Sequence, residues 1–260
     1  MNDEDSHAGT TAPPGAGFRQ EFQLALSFLT IVPVLDERRA AEETVAASFA
    51  WFPLVGFVLG AALCVEDRFL AIRLGQTLRS VLDVLSLTLI TGAIHLDALA
   101  DTADALGARG DRTRALEILR DSRIGSFGAI ALIFDLTLKF LALATLAGWR
   151  RYAALFFVPG LARWAMISVA SGIDYVRPGG AGTSLVGSRS TRRSFIAGLT
   201  VAIALALVLS ERTIAATFAA MIVPMLMRAF YRSWLGGVTG DLIGACGELV
   251  EVLALIVMAA

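Results

Sequence analysis

The chain has 260 residues, 56% hydrophobic and 17% charged, with a formal net charge of -1 and a mean hydropathy of +0.69. Hydropathy this high excludes an ordinary soluble globular protein of that length, and the balanced charge excludes nucleic acid as an expected partner. The cysteines, Cys64 and Cys246, both stand in apolar stretches; they read as small buried hydrophobes and exclude a disulfide framework.

In chain order, residues 1–17, MNDEDSHAGTTAPPGAG, are acidic and rich in Gly, Pro and small residues. They lack the basic start and apolar core of a signal peptide. They read as a disordered tail ahead of a single transmembrane catalytic domain over 18–260. Segment 21–34, EFQLALSFLTIVPV, is amphipathic and then apolar, with a proline near its end; it is short for a span and suits an N-terminal interfacial helix. Apolar runs follow at about 44–65, 80–96, 129–148, 153–171, 194–210, 214–230 and 242–260. The expected fold class is all-α, a polytopic integral membrane bundle of about seven spans, with six to eight as the range.

Seven spans put segments 1–43, 97–128, 172–193 and 231–241 on one side of the bilayer. Those segments carry thirteen arginines, and the opposite ones carry six. The positive-inside bias assigns the first set to the cytoplasm. Inside the spans stand Asp83, Asp135, Lys139, Arg163 and Arg228. Such groups are costly in hydrocarbon and face the bundle interior or a cavity. Asp135 and Lys139 are four apart and can pair on one helix face.

The sharpest signal is His95–Leu106, HLDALADTADAL. On a helix, Asp97, Asp101 and Asp104 fall at i, i+4 and i+7 and point to one side. Like charges so placed repel, unless they stand in water or around a cation. Hard oxygen ligands suit Mg2+, above all when phosphates complete the coordination. A solvated helix end would account for one or two of these aspartates, and less well for three. His95 points elsewhere on the helix. Downstream, Arg120, Asp121 and Arg123 precede the sequence IGSFG, which contains Gly125 and Gly128. Guanidinium forks match phosphate oxygens, so these residues read as a diphosphate clamp. In DYVRPGGAGTSLVG the best polar candidates are Asp174 and Arg177. In GGVTGDLIGACGELVEV, Asp241, Glu248 and Glu251 form a second acidic set.

LSFLTIVPV, FPLVGFVLG, HLDALADTADAL, LEILRDSRIGSFG, VRPGGAG and GGVTGDLIGACGELVE together resemble the cobalamin synthase family, the adenosylcobinamide-GDP ribazoletransferases. They occur in the family's order and cover nearly all the chain after residue 20. Ala98 and Ala105 replace glycines of the family's acidic motif, and Leu242 stands where a threonine is usual. The resemblance implies an integral enzyme of the bacterial inner (cell) membrane, and the arginine count puts its active-site loops on the cytoplasmic side. Its implied substrates are adenosylcobinamide-GDP and α-ribazole or α-ribazole 5′-phosphate. The implied products are adenosylcobalamin or its 5′-phosphate, and GMP. Mg2+ is the implied cofactor, and the sequence leaves a homo-oligomer open.

In this reading Asp97, Asp101 and Asp104 hold Mg2+ against the diphosphate, and Arg120 and Arg123 neutralise phosphate oxygens. Asp121 or His95 takes a proton from the 5′-hydroxyl or 5′-phosphate nucleophile. Arg177 contributes to substrate binding, and Asp241 and Glu248 complete the metal site or grip the ribazole. The rivals are a CDP-alcohol phosphotransferase-like membrane enzyme, whose longer four-aspartate pattern this chain does not supply, and a membrane transporter.

Overall fold

Helix α1, Phe18–Leu29, buries Leu24, Ala25 and Leu29 and is followed by a bent stretch whose Val34 and Leu35 amides donate back to Ser27 Oγ (both 3.0 Å). Its Glu21 is buried and accepts hydrogen bonds from Trp51 Nε1 (2.8 Å) and the Arg192 guanidinium (3.2 Å). The computed structural model describes residues 17–35, 40–108, 110–121, 123–176 and 191–260. Of the expected tail, residues 1–16 lie outside the described residues.

Helix α2, Glu42–Ser48, continues through a single 3₁₀ turn into α3, Phe52–Leu70. Pro53 sits in the first turn of α3, where its missing amide is harmless. Then come α4, Gln76–Ile90; α5, Ile94–Leu106; α6, Arg112–Ile118; α7, Ser126–Thr145; and α8, Gly148–Ala170. The last three are α9, Thr191–Leu207; α10, Glu211–Leu235; and α11, Gly240–Ala259. Extended pairing among the described residues is limited to a parallel bridge between Tyr175 and Val238.

Among the described residues, five helical stretches can cross a bilayer by length and hydropathy: α2–α3 together, α7, α8, α10 and α11. Counting the bent pair α4 and α5 as one broken span gives six, the lower edge of the expected range. The expected span at 80–96 is thus corrected. Helix α4 stops at Ile90, and α5 leaves at 88° to it. The corner is made by Gly92 (φ +62°) and Ala93 (φ +56°), both left-handed. Hydropathy averaged over a window passes straight through such a corner. At 17 residues, α9 is about 25 Å long by helical rise, and it occupies the run expected at 194–210.

Helix α8 is apolar around most of its circumference and is buried at the centre of the bundle. Helix α3 packs on it at close range. A Cβ on Gly56 would come within 2.5 Å of Pro159 O, and one on Gly60 would meet the backbone at Phe156. Small residues four apart let the two backbones approach, as in membrane helix pairs generally. Pro159 and Pro224 lie within α8 and α10 without ending either helix.

Two charged clusters lie inside. Arg151 on α8 reaches Asp67 Oδ1 (2.9 Å), Ser80 Oγ (2.9 Å) and Leu143 O (2.7 Å), and pairs with Asp83. It therefore joins the end of α3, the start of α4 and the end of α7. In the second cluster, Lys139 pairs with Asp135 (3.0 Å), as the i, i+4 spacing implied, with Glu251 (3.0 Å), and with Glu248. Arg163 Nη1 adds a 2.7 Å contact to Glu251.

Candidate active site

Helix α5 forms over the acidic motif, so the three aspartates share one stripe. Its opposite face buries His95, Leu96, Ala98, Leu99, Thr102 and Ala105. Gly244 of α11 meets Ala98, and a Cβ there would lie 2.7 Å from the Ala98 methyl and 3.6 Å from His95 Cδ2. The alanine that departs from the family motif therefore fits the notch left by a glycine on the facing helix. His95, expected to point away from the aspartates, sits in this helix–helix contact on the other side of α5.

The aspartates have three different surroundings. Asp97 is exposed and lines a cleft of about 490 Å³ between α1 and the α4–α5 corner, with Ser27, Thr30, Ile31 and Gly92. Two motifs separated by some sixty residues, LSFLTIVPV and HLDALADTADAL, meet here; Ile31 N donates to Ile90 O (2.9 Å). Asp101 is half-buried. Asp104 turns to the start of α7 and accepts from Gly125 N (2.7 Å) and Gly128 N (2.9 Å).

A second, open cleft of about 580 Å³ has Asp104, Arg114, Asp121, Arg123, Gly125 and Ser126 in its wall. The proposed clamp residues Asp121 and Arg123 thus come together with the end of the acidic stripe. They form a two-pronged ion pair, Nε to Oδ1 at 3.0 Å and Nη2 to Oδ2 at 2.7 Å. That pairing pushes the Asp121 carboxyl down to about 2, which makes it a weak proton acceptor at neutral pH. The ion pair with Arg123 speaks against Asp121 as the base. Arg120 is exposed and outside this lining. Arg114, which the sequence reading passed over, is brought in by α6, where it also pairs with Glu117 (3.0 Å). Its i, i+3 spacing to Glu117 suggests only a surface pair.

Asp241 lies in the first turn of α11, behind the Thr239 N-cap, whose hydroxyl is 3.3 Å from Asp241 Oδ2. Gly244 follows three residues later, so the start of α11 runs beside the middle of α5. Glu248 does not join the aspartate stripe. It is buried with Lys139, beside a small cavity of about 40 Å³ that is also lined by Leu96, Thr91, Arg163 and Glu251. Its pairing with Lys139 of α7 speaks against the expected place at the metal. Arg177 lies outside the described residues. Asp174 and Val176 pair through their backbones with Val238 (2.8 and 3.0 Å), which joins the exit of α8 to the entry of α11.

Among the described residues, no three His, Cys, Asp or Glu side chains converge into a metal cage. The donor set still fits Mg2+. That ion uses one or two carboxylates, keeps waters and takes phosphate oxygens as further ligands. Asp97 and Asp101, one turn apart on α5, offer such a pair.

Residues 21–259 match the protein family described as cobalamin-5-phosphate synthase. A Geotalea daltonii protein named adenosylcobinamide-GDP ribazoletransferase is 35% identical over 237 residues, covering 91% of this chain and 96% of its own. One of the same name from Syntrophobacter fumaroxidans is 38% identical over 238 residues, covering 90% and 96%. Another, from Pseudomonas putida, is 36% identical over 239 residues, covering 92% and 98%. No solved structure matches.

Proposed function

This chain belongs to the cobalamin-5-phosphate synthase family, and on that premise we propose that it transfers the adenosylcobinamide phosphate group from adenosylcobinamide-GDP to α-ribazole or its 5′-phosphate, releasing GMP. The single observation that carries this reading is the α5 aspartate stripe ending at a cleft walled by Arg114 and Arg123. An anionic diphosphate beside carboxylates needs cations, and both kinds of anchor are within reach.

The family description names a product that keeps its 5-phosphate. In keeping with that description, we take the attacking oxygen to be a ribose hydroxyl other than the 5′ position, in place of the 5′ nucleophile expected from sequence. A bond forms between that oxygen and the corrinoid-linked phosphorus as the bridging P–O bond to GMP breaks. The hydroxyl proton passes to water in the open cleft. Asp97 and Asp101 would hold Mg2+, which when bound neutralises diphosphate charge. Arg123 exchanges its Asp121 partner for a phosphate oxygen, and Arg114 adds a second fork on the same wall. Arg120 lends charge from outside the cleft. Asp241, at the start of α11, accepts hydroxyls of the ribazole. The barrier in such transfers is one of charge placement and alignment more than of covalent chemistry.

The arginine-rich side is the cytoplasmic one in this proposal, and the membrane is a bacterial inner membrane. Protein in lipid discs, given adenosylcobinamide-GDP, α-ribazole and Mg2+, is expected to release GMP and form adenosylcobalamin. The variants D97N and D101N are expected to lose about 10²–10³-fold in kcat, by analogy with removal of one electrostatic stabiliser. Full turnover in both variants would overturn the residue assignment, and absence of GMP release from the unaltered protein would overturn the reaction.

A further inference from the structure

Asp104 shares the stripe with Asp97 and Asp101, but its carboxylate has a different use. Its two oxygens accept separate amides from the start of α7, Gly125 N at 2.7 Å and Gly128 N at 2.9 Å. Helix α7 has no side-chain cap of its own, because its N-cap is Gly125. A helix start leaves amides without intrahelical partners and carries partial positive charge, so a carboxylate there is doubly favoured. This one arrives from another helix, 21 residues earlier in the chain. The segment it fixes contains Arg123, two residues before Gly125, and forms the wall of the open cleft.

The glycines on this segment are shaped around the same carboxylate. A Cβ built on Gly125 would have three Asp104 carboxylate atoms as its nearest neighbours, with Oδ1 inside van der Waals contact. The Gly125 backbone (φ -98°, ψ -177°) is one that alanine adopts freely. The Asp104 carboxylate is thus what a side chain at 125 would meet first. At Gly128, the same atoms and Ala100 O leave no room either.

We infer that Asp104 is a positioning residue: it splints the Arg123–Gly128 segment to α5 so that Arg123 meets the diphosphate, and the metal is left to Asp97 and Asp101. The inference rests on the proposed reaction for its catalytic consequence, and on geometry alone for the splint.

The test uses the full chain in lipid discs. Hydrogen exchange at the Gly125 and Gly128 amides, measured without substrate or metal, reads the splint directly. Exchange is expected to be slow in the unaltered protein and at least about tenfold faster in D104A and in G125A. Steady-state assays read its consequence. Both variants are expected to raise KM for adenosylcobinamide-GDP about tenfold or more through loss of a charged phosphate contact. Neither is expected to change the Mg2+ concentration that gives half-maximal rate, whereas D97N is expected to raise it.

The double variant D104A/G125A is expected to be no worse than D104A, because the alanine methyl then has room; this non-additivity marks shared action. D104N, which keeps one acceptor oxygen, is expected to fall between the unaltered protein and D104A. Unchanged exchange at both glycines in D104A would overturn the splint. A rise in Mg2+ requirement in D104A equal to that in D97N would make Asp104 a metal ligand instead. If the unaltered protein transferred nothing, the reaction would fail while the exchange result stood.

Discussion

Arg123 and Asp121 face each other two residues apart in an open cleft, with both oxygens of the carboxylate engaged. The hydrogen bonds from Arg123 hold the Asp121 carboxyl at about 2, below the ordinary value of about 3.9. The sign follows from linkage. A depressed carboxyl favours the folded loop above its ordinary value, and this contribution is lost as pH falls through about 2. The carboxyl carbon shift of Asp121 is expected to titrate with a midpoint at about 2 in the unaltered protein. Its midpoint should move up toward the ordinary value in R123Q. An unmoved midpoint would show that Arg123 is not the cause. The same pair explains why the clamp is available to substrate. It is exposed, so exchange of a carboxylate partner for a phosphate oxygen requires little desolvation.

The cation of α7 and the carboxylates of α11 depend on one another. Lys139 has Asp135, Glu248 and Glu251 around it, all buried. K139M leaves Arg163 as the remaining cation of that cluster among the described residues. Removing one partner of a buried ion pair is typically worth about 3–5 kcal/mol. K139M is therefore expected to unfold at clearly lower denaturant in lipid or mild detergent, and an unchanged midpoint would contradict the cluster. Only part of this element pairing was legible in advance. Asp135 and Lys139 are neighbours on one helix, so their spacing declared them. Glu248 lies 109 residues from Lys139, and no local spacing carries that information. Likewise, the aspartate stripe was readable because α5 has a 3.6-residue period, while the diversion of Asp104 to Gly125 and Gly128 depends on how α7 approaches. The α4–α5 corner left only Gly92 as a local sign, since Ala93 is an unusual residue for a left-handed backbone. Gly56 and Gly60 carried a readable small-residue spacing, whose partner helix only the fold reveals.

Across the molecule, α7 and α10 turn large apolar residues outward, including Ile133, Phe134, Met225 and Leu226. Exposed apolar surface on this scale suits lipid contact. Loop contacts gather at the two ends of the bundle. Arg112 bonds Leu235 O (2.9 Å), Arg232 bonds Gly172 O (3.1 Å) and Arg192 bonds Glu21, joining segments from one expected side. At the other end, Gln76 bonds Ala144 O and Leu146 O, both at 2.7 Å. Single cysteines at Glu117 and Arg73 are expected to react with an impermeant thiol reagent from opposite faces, the first only from the cytoplasm. Labelling of both from one face would contradict the topology. Mn2+ in place of Mg2+ gives the most direct view of the chemistry, because its paramagnetic signal separates bound from free ion. In lipid discs with adenosylcobinamide-GDP, the unaltered protein should bind Mn2+ tightly, while the ion should bind weakly without the diphosphate and in the D97N/D101N variant. Equal binding with and without the diphosphate, or in that variant, would contradict a metal held jointly by α5 and substrate.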